Sequence, residues 1–183
     1  MRQMFKSVLL AAPFFTVPSI LAQTTGTTNL NVNLASVLAI EVSDPTVVIQ
    51  MNTPAHFSSG STTGTLSDHL KVTANEGFTV TVEAAGNLSN AGEEIPVSTV
   101  VVSSSSGSYL GASGSTAPTT NPTFPSSALA LSSSAPVTII SCATGDLRGY
   151  DVAYSIPAAN TPSYLDKTPG VYTTLLTYTI VAD

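Results

Sequence analysis

The chain alternates from Asn29 onward: in NLNVNLASVLAIEV the even positions Leu30, Val32, Leu34, Ser36, Leu38, Ile40 and Val42 are apolar except Ser36, and the odd ones begin with Asn29, Asn31 and Asn33. Successive side chains of an extended chain leave opposite faces, so this period of two predicts a half-buried strand. Asp44-Pro45 breaks the run, and a second strand is expected over 46–51, before a polar loop over 52–65. In LKVTANEGFTVTVEAAG, Leu70, Val72 and Ala74 alternate on one arm and Phe78, Val80 and Val82 on the other. With Asn75-Glu76-Gly77 between the arms, the segment reads as a hairpin whose glycine takes a positive φ. Further strands are expected over 95–102, 128–131 and 137–142, and over 150–156, where Tyr150, Val152, Tyr154 and Ile156 alternate. GVYTTLLTYTIVAD carries Tyr172, Thr174, Leu176, Tyr178, Ile180 and Ala182 on one face and Val171, Thr173, Leu175, Thr177, Thr179 and Val181 on the other. No stretch after the leader shows a helical period. About eight short strands separated by turn signals predict an all-β chain, an antiparallel β-sandwich of immunoglobulin-like or pilin-like type.

Ahead of this pattern, Arg2 and Lys6 precede an apolar stretch broken by Pro13 and Pro18 and followed by Gln23-Thr24-Thr25. Residues 1–23 therefore read as a secretory signal peptide, which makes the product exported, extracellular or at the cell surface, reached through the periplasm. No other segment is apolar enough to span a membrane. Residues 24–183 are expected to form a single domain, with the Ser-, Gly- and Pro-rich 103–127 as a long surface excursion. After removal of the leader, three basic residues stand against eleven acids, a net charge of −8. Nucleic acid and anionic lipid need a basic face and are excluded as partners.

The candidate chemistry is sparse. His56 lies in the polar loop without an acidic neighbour in sequence, and His69, between Asp68 and Leu70, reads as a surface or capping residue. The serines come in runs without a nucleophile-elbow setting, and Glu93-Glu94 reads as a wet turn. Lone Cys142 rules out an internal disulfide, sits in an apolar run, and with no ligand spacing among the histidines leaves no zinc site. Asp146 and Asp151, with carbonyls near Gly145 and Gly149, are the only residues worth weighing for calcium. Asn87-Leu88-Ser89 matches a glycosylation sequon. No catalytic residues, metal or cofactor are assigned, and the chain does not read as an enzyme.

The two ends carry a resemblance. Pro169, Gly170, Tyr172, Thr173, Leu176, Tyr178 and Ile180 at one end, and Leu30, Val32 and Leu34 at the other, resemble chaperone–usher pilin subunits of the archaic type and spore-coat-U-like secreted proteins. The lone cysteine departs from the disulfide common in those pilins. The resemblance implies a structural or adhesive protein, a subunit of a bacterial fimbrium or envelope coat joined by strand pairing between subunits. It implies Leu30, Val32 and Leu34 as donated side chains, and a strand carrying Tyr172, Thr174, Leu176, Tyr178 and Ile180 beside the acceptor groove. Partners would be further copies, other surface subunits and a periplasmic chaperone. The alternative is a stand-alone sandwich that binds a glycan or a surface protein, with Tyr109, Phe124 and Tyr164 stacking on sugar rings. Residues 170–182 contain neither charge nor proline, so their edge needs a cover, expected from NLNVNLASVLAIEV of the same chain or the next one.

Overall fold

Eleven strands fill residues 38–182 of the computed structural model, which describes residues 25–183. The expected signal peptide lies outside the described residues. The strands are β1 (Leu38–Val42), β2 (Gly60–Thr62), β3 (Leu66–Ala74), β4 (Phe78–Ala84), β5 (Leu88–Asn90), β6 (Glu93–Ile95), β7 (Val101–Tyr109), β8 (Leu129–Ala130), β9 (Val137–Cys142), β10 (Asp146–Pro157) and β11 (Leu176–Ala182). One short helix, α1 (Pro54–Ser59), starts on the Thr53 cap, whose hydroxyl accepts from the His56 N–H. The polar loop expected over 52–65 thus holds a helical turn and a short strand. Ala35–Asp183 form one unit, while residues 25–34 carry no regular structure.

All pairings are antiparallel. The larger sheet runs β1-β3-β10-β7-β8 with β2 alongside β10, the smaller runs β11-β4-β9, and β5-β6 is a separate ribbon. The alternation read from the sequence explains why the two sheets stack. Leu70 and Val72 of β3, Tyr150, Val152, Tyr154 and Ile156 of β10, and Phe78, Val80 and Val82 of β4 are all buried in one core. Phe78 and Phe124 meet Tyr150 edge-on, with centroids 6.5 and 6.1 Å away. The fold is an all-β antiparallel sandwich with eleven strands rather than about eight.

The expected hairpin over 70–86 is corrected. Both arms exist, but β3 belongs to the larger sheet and β4 to the smaller, so the chain crosses the core between them as an arch. A hairpin sets two apolar faces side by side, whereas an arch sets them face to face. The second arrangement buries Leu70 and Val72 against the other sheet. Gly77 takes no positive φ; its small size matters instead, because a Cβ there would sit 3.1 Å from the Ala143 carbonyl oxygen.

Three further expectations change. Residues 46–51 form no strand, although Val47, Ile49 and Met51 still pack on the core. The excursion starts later than residue 103, because β7 continues to Tyr109. The strand expected over 95–102 is split between the end of β6, a 3₁₀ turn at Val97–Thr99 and the start of β7.

Candidate strand-pairing site

β11 is an edge strand. Its register with β4 runs from Leu176↔Ala84 to Ala182↔Phe78, flanked by Ala85 N–H bonded to the Leu175 carbonyl and Asp183 N–H bonded to the Gly77 carbonyl. In an antiparallel ladder alternate residues bond the partner, so the odd residues face β4. The backbone groups of Leu176, Tyr178, Ile180 and Ala182 therefore point to the other side, where no strand pairs with them among the described residues. The expected pairing within the chain is corrected: β1 pairs with β3, from Leu38↔Ala74 to Val42↔Leu70, and not with β11.

β1 is likewise an edge. Ser43 N–H bonds the His69 carbonyl and Asn75 N–H bonds the Val37 carbonyl, which leaves the backbone groups of Leu38, Ile40 and Val42 on the open side. β1 and β11 lie at the same margin of the sandwich, with Cα atoms within 8 Å, yet no ladder joins them. Leu38, Ile40, Leu176, Tyr178 and Ile180 pack on the core from this margin and stay only half-buried.

At the opposite margin the edge of β9 is guarded. Thr123 gives and receives backbone hydrogen bonds with Ser141 along the outer edge of β9. Pro122 and Pro125 flank Thr123 and cannot extend that pairing. On the larger sheet β8 covers only Val101 and Val102 of β7, and residues 103–109 carry no further strand on that side among the described residues.

Each residue singled out from the sequence has a definite place. Leu30, Val32 and Leu34 belong to no strand and are 87%, 78% and 80% exposed. Tyr172 and Thr174 precede β11 and are fixed by side-chain bonds, the Tyr172 hydroxyl to a Glu93 carboxylate oxygen at 2.6 Å and the Thr174 hydroxyl to the Gly86 carbonyl at 2.9 Å. Leu176, Tyr178 and Ile180 lie within β11 on its inward face. The hydrogen bond from Tyr172 holds the Glu93 carboxyl below its ordinary value, aided by the Thr168 N–H, and raises the Tyr172 phenol in return.

The remaining candidates are structural in their surroundings. His69 is 1% exposed rather than on the surface, with Nδ1 3.0 Å from an Asp44 carboxylate oxygen and its ring edge-on to Tyr154 and Tyr178. An irregularity in the β3–β10 register at Asp68, which has φ 49°, turns it inward; simple alternation could not show this. Asp146 and Asp151 do not converge. Asp146 is buried and accepts from the Tyr150 hydroxyl at 2.8 Å, Arg148 Nε at 3.2 Å and the Thr120 hydroxyl at 3.1 Å, whereas Asp151 accepts from the Asp68 N–H at 2.9 Å. Burial, followed by the hydrogen bond to Asp146, drives the Tyr150 phenol upward, and burial alone does so for Tyr154. Cys142 is buried. The Asn87 amide is engaged by Glu94 and the Val97 N–H. Phe124 packs on Tyr150, and the Tyr164 hydroxyl shares a hydrogen bond with Thr99, so these two rings serve the fold.

Among the described residues no three His, Cys, Asp or Glu side chains gather as a metal-binding group, and no helix is long and apolar enough to cross a membrane. No family model matches the chain, and no curated protein matches it.

Proposed function

We propose that this protein is an exported structural subunit of a surface fibre or envelope coat, assembled by β-strand pairing between copies. The observation that carries this reading is the uncovered margin. Two edge strands meet there without a ladder, four alternate residues of β11, Leu176, Tyr178, Ile180 and Ala182, turn backbone groups to an open side that no strand pairs among the described residues, and neither charge nor proline blunts that edge. Proteins normally blunt such an edge, because it templates pairing with another chain. The guarded edge of β9 makes the contrast within one molecule.

The occupant has the right chemistry in the chain itself. Residues 29–34, Asn-Leu-Asn-Val-Asn-Leu, alternate, are uncharged and leave Leu30, Val32 and Leu34 exposed. Laid along β11 of a neighbouring copy, such a segment gains main-chain hydrogen bonds for affinity and buries every second side chain for register. Each exposed leucine or valine covered in this way contributes about 1.5–3 kcal/mol of apolar burial. A periplasmic chaperone that covers the same edge before assembly is the corresponding partner during export.

The test compares mature protein with a variant lacking residues 24–34. The full-length form is expected to give high-mass, SDS-resistant assemblies visible by electron microscopy, and the truncated form a monodisperse monomer that binds a synthetic 24–34 peptide. Normal assembly of the truncated form would exclude strand donation.

A further inference from the structure

We propose that Asn75 and Glu76, on the turn between β3 and β4, clamp the root of the N-terminal segment and thereby set the spacing between successive copies; this rests on the strand-donation reading above. Only Ala35, Ser36 and Val37 separate Leu34, the last donated side chain, from β1. All three are held. The Asn75 side chain donates from Nδ2 to the Ala35 carbonyl at 2.6 Å and accepts at Oδ1 from the Val37 N–H at 2.8 Å, while its own N–H bonds the Val37 carbonyl at 3.2 Å. The Ser36 hydroxyl donates to the Glu76 carboxylate. A primary amide presents one donor and one acceptor side by side, as a peptide unit does, so Asn75 extends the β1–β3 ladder past its last backbone pair.

The clamp has a geometric consequence for assembly. Four extended steps from Leu34 to Leu38 span about 13 Å, at about 3.3 Å per residue. A domain of this length has a radius of gyration of about 15 Å. A copy that accepts Leu34 therefore abuts the copy that donates it, and with 35–37 fixed the link has no slack. Successive copies are held at one repeat, giving a stiff fibre rather than beads on a flexible tether.

Two measurements test this, and they fail separately. In a Val32→Asp background, chosen to keep the protein monomeric, backbone ¹⁵N order parameters at Ser36 and Val37 are expected near 0.85, falling below about 0.6 when Asn75→Ala is added. Ser36→Ala, which leaves the turn intact, is expected to give a smaller loss, and an unchanged melting curve for both variants separates release of the root from unfolding. Low order parameters before Asn75 is changed overturn the clamp whether or not fibres form. In fibres of the otherwise unaltered protein, Asn75→Ala is expected to shorten the persistence length several-fold and blur the axial repeat in electron micrographs. Identical stiffness and repeat overturn the role in spacing. Complete absence of fibres from the unaltered protein removes both the proposed function and the spacing role, while the order parameters still decide whether the root is clamped.

Discussion

Tyr178 sets its ring edge-on against His69, with centroids 6.0 Å apart, and its hydroxyl is buried with no hydrogen-bond partner among the described residues. Leaving a buried hydroxyl unpaired costs about 1–3 kcal/mol. Tyr178→Phe keeps the ring contact and removes the orphan oxygen. Chemical denaturation of the monomer should show unchanged stability or a gain of about 1 kcal/mol; a loss of that size would mean the hydroxyl is paired in solution.

Asp146 holds the opposite situation, a buried carboxylate with every bond in use. It ties Thr120 of the long excursion to Arg148 and Tyr150 on β10. Asp146→Ala strands these donors and leaves Arg148 without its counter-charge, so a loss of about 3–5 kcal/mol is expected. Urea melts of the variant check the magnitude, and protease sensitivity should rise first within 110–127.

Glu93 makes the segment before β11 acid-sensitive. Its carboxyl lies below the ordinary glutamate value of 4.5, through hydrogen bonds from Tyr172 and Thr168. A depressed folded value means that the stabilising contribution is complete above the ordinary value and is lost as the pH falls through the lower one. As the pH falls through that lowered value the tie between β6 and 168–172 should release, read as faster amide exchange at Thr168 with the core still protected. Glu93→Gln should remove the acid dependence.

Val32 separates assembly from folding. It is highly exposed and outside every strand, so Val32→Asp should change monomer stability by no more than about 0.5 kcal/mol. A buried carboxylate without a partner is strongly disfavoured, and assembly should be abolished. Sedimentation velocity distinguishes the two effects; a variant that still forms fibres would show that this face of the segment is not buried.

Local periodicity was legible in the sequence wherever it reported which side chains face the core. Tyr150, Val152, Tyr154 and Ile156 point inward as the alternation of 150–156 predicts, and so do Leu176, Tyr178 and Ile180. Pairing was less legible. An alternating run shows that a strand has an inner face but not which neighbour it bonds, so the arch at 75–77 reads like a hairpin and β11 reads like a partner for β1. His69 escaped for a different reason, because it lies inside the register irregularity between Leu66 and Leu70, where Asp68 has φ 49° and strict alternation fails. The Asn75 clamp is the hardest to foresee, since it depends on contacts about 40 positions apart in the chain.

The pairing of β4 with β11 also governs when this chain can fold. Thr79 and Asp183, hydrogen-bonded at the end of that ladder, are 104 residues apart in sequence. Closing so long a loop comes before the contacts that compensate it, which puts the protein among slow, high-contact-order folders, on the scale of milliseconds to seconds. A chain delivered from its N-terminus can build β1 on β3 early, but the smaller sheet stays unfinished until residues 176–182 arrive. Through that interval the inner faces of β4 and β9 lack their third strand. The rate of delivery relative to folding therefore decides how long a sticky intermediate persists.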